Sequence, residues 1–275
     1  ARMVAAKLSE RMGKQFVVDN RPGAGGIVGS EVVANAPPDG HTLMVMSIAH
    51  TANPFLYKLK YDTAKAFVPI AQLGTGLSVL AANPALPVKT VQELVAYAKA
   101  NPGKLQMANA GIGTFQHMAA TQLQTLAGID VVQVPFKGGG PATIDVVAGH
   151  TQIAIFSVVQ VSGHMKSGKL RALAVGSLKR NPAFPDLPTI DESGVKGYEA
   201  DNWWGVVGPA GIPQPIVTKL AAEIAAVQDL PDFKATLARE GADPVKRGGA
   251  EFGQFLAREM AKWAKVIKEG NIKLK

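Results

Sequence analysis

Leu105-Gln-Met-Ala-Asn-Ala-Gly-Ile-Gly-Thr-Phe-Gln-His117 and Val131-Val-Gln-Val-Pro-Phe-Lys-Gly-Gly-Gly-Pro141 have the same plan, and that plan decides the fold. In each, a short apolar run ends in a glycine loop, and the loop opens onto a segment with helical spacing. Thr114 is a good N-cap for the first segment, and Pro141 is pre-set for the first turn of the second. Strand, glycine loop and helix repeated in this order imply parallel strands joined by crossover helices.

The pattern extends in both directions. Met3/Val4, Leu8 and Met12 predict a first helix that Gly13 ends, and Phe16–Asp19 reads as a buried strand. A glycine loop, Gly23-Ala-Gly-Gly-Ile-Val-Gly29, then leads into a helix from about Ile27 to Asn35. Pro37-Pro-Asp-Gly40 turns the chain into a strand at Thr42–Ser47. Thr90 with Glu93 three residues on is a capping box, and Asn101-Pro-Gly103 stops that helix. Further strands are expected at Ile153–Phe156 and Leu170–Val175, and Trp203-Trp204 reads first as buried strand. Pro213–Val227, Asp232–Arg239 and Ala250–Glu269 read as consecutive helices that need an earlier sheet to pack on.

The expected fold is therefore α/β and two-lobed. Each lobe is a mixed sheet flanked by helices, with the C-terminal helices packing back on the first lobe. Residues 1–76 and 205–275 are assigned to the first lobe and 77–204 to the second, joined by two crossing segments. A length of 275 residues suits two lobes, and 47% hydrophobic against 18% charged residues excludes a disordered chain. No apolar run reaches the length of a membrane span.

Lys and Arg number 29 against 21 Asp and Glu, so the net charge of +8 favours an anionic partner. Nucleic acid is not expected, because the basic residues are scattered and aromatics are only 6%. There is no cysteine, which removes disulfides and thiolate chemistry. His41, His50, His117, His150 and His164 form no metal-binding pair, so no metal is expected. No cofactor is expected either. The glycine loop at 23–29 has Val28 where a dinucleotide fingerprint needs glycine, and no Gly-Lys-Ser/Thr follows Gly113. No nucleophile stands beside His117, and no hydrolase elbow is present, so an enzyme is not expected. A Rossmann-like nucleotide-dependent oxidoreductase is the alternative, and a plain interaction module is a third reading. The glycine loops suit a carboxylate, since helix N-termini offer N–H groups and a partial positive charge.

The chain resembles the Bug family, the substrate receptors of tripartite tricarboxylate transporters. Asn20-Arg-Pro-Gly-Ala-Gly-Gly26, Pro38-Asp-Gly-His-Thr-Leu43, Asn53-Pro54, Gly113-Thr-x-x-His117, Val134-Pro-Phe-Lys-Gly138, Gly168-Lys-Leu-Arg-Ala-Leu-Ala174, Pro185-Asp-Leu-Pro-Thr189 and Gly208-Pro-Ala-Gly-Ile-Pro213 carry the resemblance in order along the whole chain. It implies the two-lobed type II periplasmic-binding-protein fold and a periplasmic, signal-peptide-processed, monomeric receptor for a small mono- or dicarboxylate, with membrane transporter subunits or a sensor domain as partners. By position it implies second-lobe ligand contacts from Gly113, Thr114, His117, Phe136, Lys137, Gly138 and Ser157, with Ser47 and Thr51 facing them from the first lobe. Family members begin with a further strand and glycine loop before the helix that starts here at Ala1. The first-lobe grip is therefore expected to be incomplete, leaving this chain open and weakly binding. Ser157 stands where relatives often carry an Asp, which argues against an amino-acid ligand.

Overall fold

Residues 1–21, 26–239 and 241–272 are described in a computed structural model. In chain order the elements are α1 (Arg2–Met12), α2 (Ile27–Ala34), β1 (Met44–Ser47), α3 (Ile48–Leu56), β2 (Phe67–Gly76), β3 (Ser78–Ala82), α4 (Val91–Ala100), β4 (Gln106–Asn109) and α5 (Phe115–Ala127). They continue as β5 (Val132–Pro135), α6 (Gly139–Ala148), β6 (Ile153–Ser157), α7 (Val158–Lys166), β7 (Arg171–Val175), β8 (Asn202–Pro209), α8 (Gln214–Asp229), α9 (Pro231–Arg239), β9 (Ala242–Pro244) and α10 (Gly249–Glu269).

The chain divides into two compact units, one of Ala1–Thr75 with Trp203–Ala264 and one beginning at Gly76–Asn202. The chain from Lys265 onward falls with the second unit, whereas the sequence reading keeps everything to residue 275 in the first. The break lies inside α10, where an uninterrupted apolar stripe gives the sequence no sign of a boundary.

The first unit is built on a four-stranded sheet in the order β1-β8-β2-β9, with β1 antiparallel to β8 and Ser47 opposite Trp204. Its core joins α1, α8 and α9 to β2 and β8 through Val4, Leu8, Ile70, Val206, Leu220, Ile224 and Phe233. Gly13 ends α1 in the left-handed region, as its position predicts.

Two sequence expectations for this unit need correction or lie out of reach. Phe16–Asp19 is not a strand: Val17 is 77% exposed, and the Phe16 N–H goes to Ser9 Oγ at 2.8 Å rather than to a neighbouring strand. Phe16 packs partly against the core while Val17 faces solvent, so the run lacks the two covered faces of a buried strand. The loop at 23–29 lies partly outside the described residues, and α2 emerges from it after Gly26.

Two buried polar clusters brace the first unit. Glu259, nearly inaccessible on α10, accepts from the indole N–H of Trp203 at 2.8 Å and of Trp263 at 3.0 Å, and its other oxygen pairs with Lys262. His50 is buried edge-on to Phe67, with ring centroids 4.8 Å apart, and its Nδ1 lies 3.4 Å from Ser30 Oγ. Burial alone pulls its pKa down to about 4, so the ring is neutral.

The second unit holds a five-stranded mixed sheet in the order β5-β4-β6-β3-β7. β4 runs parallel to both β5 and β6, and β3 is antiparallel to β6 and β7. Leu80, Ala81, Ala82, Met107, Ile153 and Ile155 are fully buried, as expected for strands covered on both faces. Thr90 caps α4 by accepting from the Glu93 N–H, while the Glu93 carboxylate reaches one residue past the usual capping-box partner, to the Lys89 N–H.

Two stability predictions follow from the clusters in the first unit. Glu259→Ala strips two buried indoles of their carboxylate acceptor and should cost about 3–5 kcal/mol, read by urea denaturation followed through tryptophan fluorescence. Glu259→Gln keeps an acceptor and should cost less. His50 has a folded-state pKa below its ordinary value of 6.5, so on acidification the unfolded chain takes up the proton first. The stability it contributes is complete above pH 6.5 and is lost as pH falls toward 4, about 3 kcal/mol across that window. Denaturation at pH 7 and pH 4.5 should show the loss, and His50→Phe should reduce it.

Candidate functional site

The parallel pairing of β4 with β5 and β6 puts the carboxyl ends of three adjacent strands on one edge of the second unit's sheet. A helix starts directly beyond each of them: α5 after residues 110–114, α6 after 136–138, and α7 immediately after Ser157. This edge is where ligands of open α/β sheets collect, and each helix start brings amides that have no partner within the helix.

Hydrogen bonds between the first two loops hold them together. Asn109 O accepts from the Phe136 N–H at 2.9 Å, and Ala110 O accepts from the Gly138 N–H at 3.2 Å. Gly138 has φ 107° and ψ 169°, a region that only glycine occupies comfortably, so the tie depends on the missing side chain. Asn109 Oδ1 accepts from the Gly111 N–H at 2.9 Å and closes a tight turn.

Thr114 caps α5, though its hydroxyl does not face outward as the sequence suggests. It donates to Gly111 O at 2.7 Å and accepts from the His117 N–H at 3.4 Å, so its proton is spent inside the loop. The first-turn amides that have no acceptor within the helix are those of Phe115 and Gln116. His117 turns back over the loop, where its Nδ1 accepts from the Gly113 N–H at 3.4 Å. Burial lowers its pKa, so the ring is neutral, and the accepting Nδ1 places its proton on Nε2.

The remaining second-unit residues differ in character. Lys137 is exposed, whereas the Phe136 ring packs partly against the apolar cluster of Leu77, Ala108, Ala142 and Phe156. Phe136 is thus more core than pocket wall. Ser157 precedes α7 without a side-chain cap bond, leaving its hydroxyl available at the strand end.

In the first unit, Ser47 occupies the corresponding position between β1 and α3, also without a side-chain cap bond. Thr51 corrects the sequence expectation. It is 1% exposed, and its hydroxyl donates to Ile48 O at 2.8 Å within its own helix, so it is a packing residue.

Alongside α5 lies a polar cavity of about 310 Å³, bordered by Ile112, His117, Thr121, Gln133 and the chain at Gly270–Ile272. The sequence reading did not single out Gln133 or Asn109, although Asn109 stands at a strand end just before a glycine loop. Among the described residues there is no group of His, Asp and Glu arranged to hold a metal, and no helix is long and apolar enough to cross a membrane.

The model of the tripartite tricarboxylate transporter family receptor matches residues 1–272. The chain belongs to that family. It is 32% identical to the protein BugT of Bordetella pertussis over 278 residues, covering 100% of this chain and 85% of BugT. Among solved structures it is similar to Rpa4515 of R. palustris with adipate, at 32% identity and a TM-score of 0.86, covering 99% of this chain and 92% of that one. It is also similar to MatC of Rhodopseudomonas palustris with bound malate, at 32% identity and a TM-score of 0.82, covering 97% and 92%. The fold of this receptor family is thus that of periplasmic binding proteins, and the oxidoreductase alternative gains no support.

The cap geometry predicts that Thr114→Ala will cost the receptor about 1 kcal/mol of stability, read by chemical denaturation, while Thr114→Ser stays near the original value.

Proposed function

We propose that this chain is a periplasmic, non-enzymatic receptor that binds a small mono- or dicarboxylate and delivers it to the membrane subunits of a tripartite transporter. The observation that carries this reading is the group of three helix starts at the carboxyl ends of β4, β6 and β5. Such a group offers donors and partial positive charge without a titratable cation, which suits a carboxylate that must be released again.

The contacts we assign in the second unit are the amides around Gly113 and Gly138, the His117 ring, Lys137 at the exposed rim and the Ser157 hydroxyl. Thr114 and Phe136 act behind them, as cap and as support. Ser47 is the first unit's own candidate anion contact. Two relatives solved with adipate and malate support a dicarboxylate as the ligand class. Ser157 in place of an acidic residue disfavours a ligand with an amino group. We assign the receptor as a monomer, with neither cofactor nor metal in its working form.

The test is thermal denaturation with malate, adipate, glutamate and NADH. A dicarboxylate present at a hundred times its Kd should add about 2.7 kcal/mol of stability and raise the melting temperature. Glutamate and NADH should have no effect. A shift with NADH and none with any carboxylate would overturn the receptor reading in favour of the oxidoreductase.

A further inference from the structure

Gln133 lies on β5, an edge strand that packs against α5 through residues that could all be apolar. Instead, its side-chain amide is the centre of a hydrogen-bonded chain. Gln133 Nε2 donates to Thr121 Oγ1 at 2.9 Å and to Gln124 Oε1 at 2.7 Å, and Gln133 Oε1 accepts from Asn109 Nδ2 at 3.1 Å. Asn109, 1% exposed, uses its other side-chain atom, Oδ1, to accept from the Gly111 N–H.

The donor and acceptor roles along this chain admit one consistent assignment. Thr121 gives its hydroxyl proton to His117 O at 2.9 Å, so it can only accept from Gln133. That fixes which end of the Gln133 amide faces α5 and leaves its oxygen toward Asn109. The Asn109 amide must then point its NH₂ at Gln133 and its oxygen at Gly111. Flipping either amide would set donor against donor and acceptor against acceptor, each at a buried or half-buried site where such a mismatch is costly.

Packing does only part of this job. A cavity of about 310 Å³ borders Ile112, His117, Thr121 and Gln133, so the loop is not close-packed where it meets these residues. Hydrogen bonds therefore hold the turn where close-packed side chains would otherwise do so.

We propose that Gln133 and Asn109 are positioning residues for ligand binding. Acting through Thr121 and Gly111, they hold residues 111–116 so that the first-turn amides of α5 are aligned before the carboxylate arrives. The inference rests on the carboxylate-receptor reading, and a loop aligned in advance loses less freedom on binding.

Gln133→Met, apolar and of similar length, removes the three bonds at the centre of the chain and leaves only the Asn109–Gly111 and Thr121–His117 bonds at its two ends. Calorimetry with malate and adipate at 15 °C should show at least a tenfold weaker Kd than the unaltered protein, with a melting temperature in the absence of ligand within a few degrees of it. Unchanged affinity would overturn the proposal, and so would a loss of affinity only as large as the loss of folded fraction explains. If Gln133→Met does not fold, Gln124→Ala, which removes one of the two acceptors of Gln133, should weaken binding about threefold, and unchanged affinity there counts equally against it. Amide hydrogen exchange gives a reading that needs no ligand. Residues 111–116 should exchange at least tenfold faster in the variant while β4 and β6 keep their protection, and unchanged loop exchange overturns the proposal. If the unaltered protein binds neither dicarboxylate yet the exchange result holds, the dicarboxylate assignment fails while the hold of Gln133 on residues 111–116 stands.

Discussion

Everything at the candidate site depends on the parallel pairing of β4 with its two neighbours. Parallel strands cannot be joined by a tight turn, so each must be followed by a helix that returns the chain to the starting edge. The amides that begin those helices therefore gather on one edge without any residue being selected for binding. Glycine is needed for two reasons: at Gly138 the backbone conformation itself opposes a side chain, and at Gly111 a Cβ would come within 3.3 Å of Phe136 O on the neighbouring loop. The geometry that builds the sheet also builds the place where an anion can rest.

The electrostatics follow the same economy. The net charge of +8 is not concentrated at the site. Lys137 is exposed at the rim, and many of the cations elsewhere pair on the surface, as Arg11 does with Glu223 and Arg180 with Glu192. Both histidines in the interior, His50 and His117, are kept neutral by burial. A neutral His117 can accept the Gly113 N–H, which a protonated ring could not do through Nδ1. The fixed positive potential that the second unit's loops can offer is that of oriented backbone dipoles, which act over a few ångströms, with Lys137 at the exposed rim beside them.

Much of this was legible in the sequence where a local rule had no competitor. Gly13, Thr90 and Thr114 end or begin helices at the expected residues, and the apolar runs at β4, β5, β6 and β7 are strands to within a residue or two. The helix α3 was hidden by Pro54 in its interior, and β2 by Pro69 and Gly74, residues that ordinarily break such elements. Phe16–Asp19 failed in the opposite sense, because four residues with strand propensity form a strand only when a neighbour supplies the ladder. Among the site residues, the direction of a hydroxyl was the illegible quantity. Thr51 and Thr114 both spend theirs on backbone carbonyls nearby, and no spacing rule distinguishes that from a hydroxyl aimed at a ligand. Asn109 and Gln133 escaped notice for a related reason, since their roles exist only once two strands lie side by side.

The three loops at the edge of the second unit's sheet belong to three separate strand-and-helix segments, beginning after Asn109, Pro135 and Ser157. A change in one leaves the backbone of the other two attached to strands that the sheet holds in register. Such an arrangement makes the edge modular: one loop can be exchanged while the sheet that carries the others stays as it is.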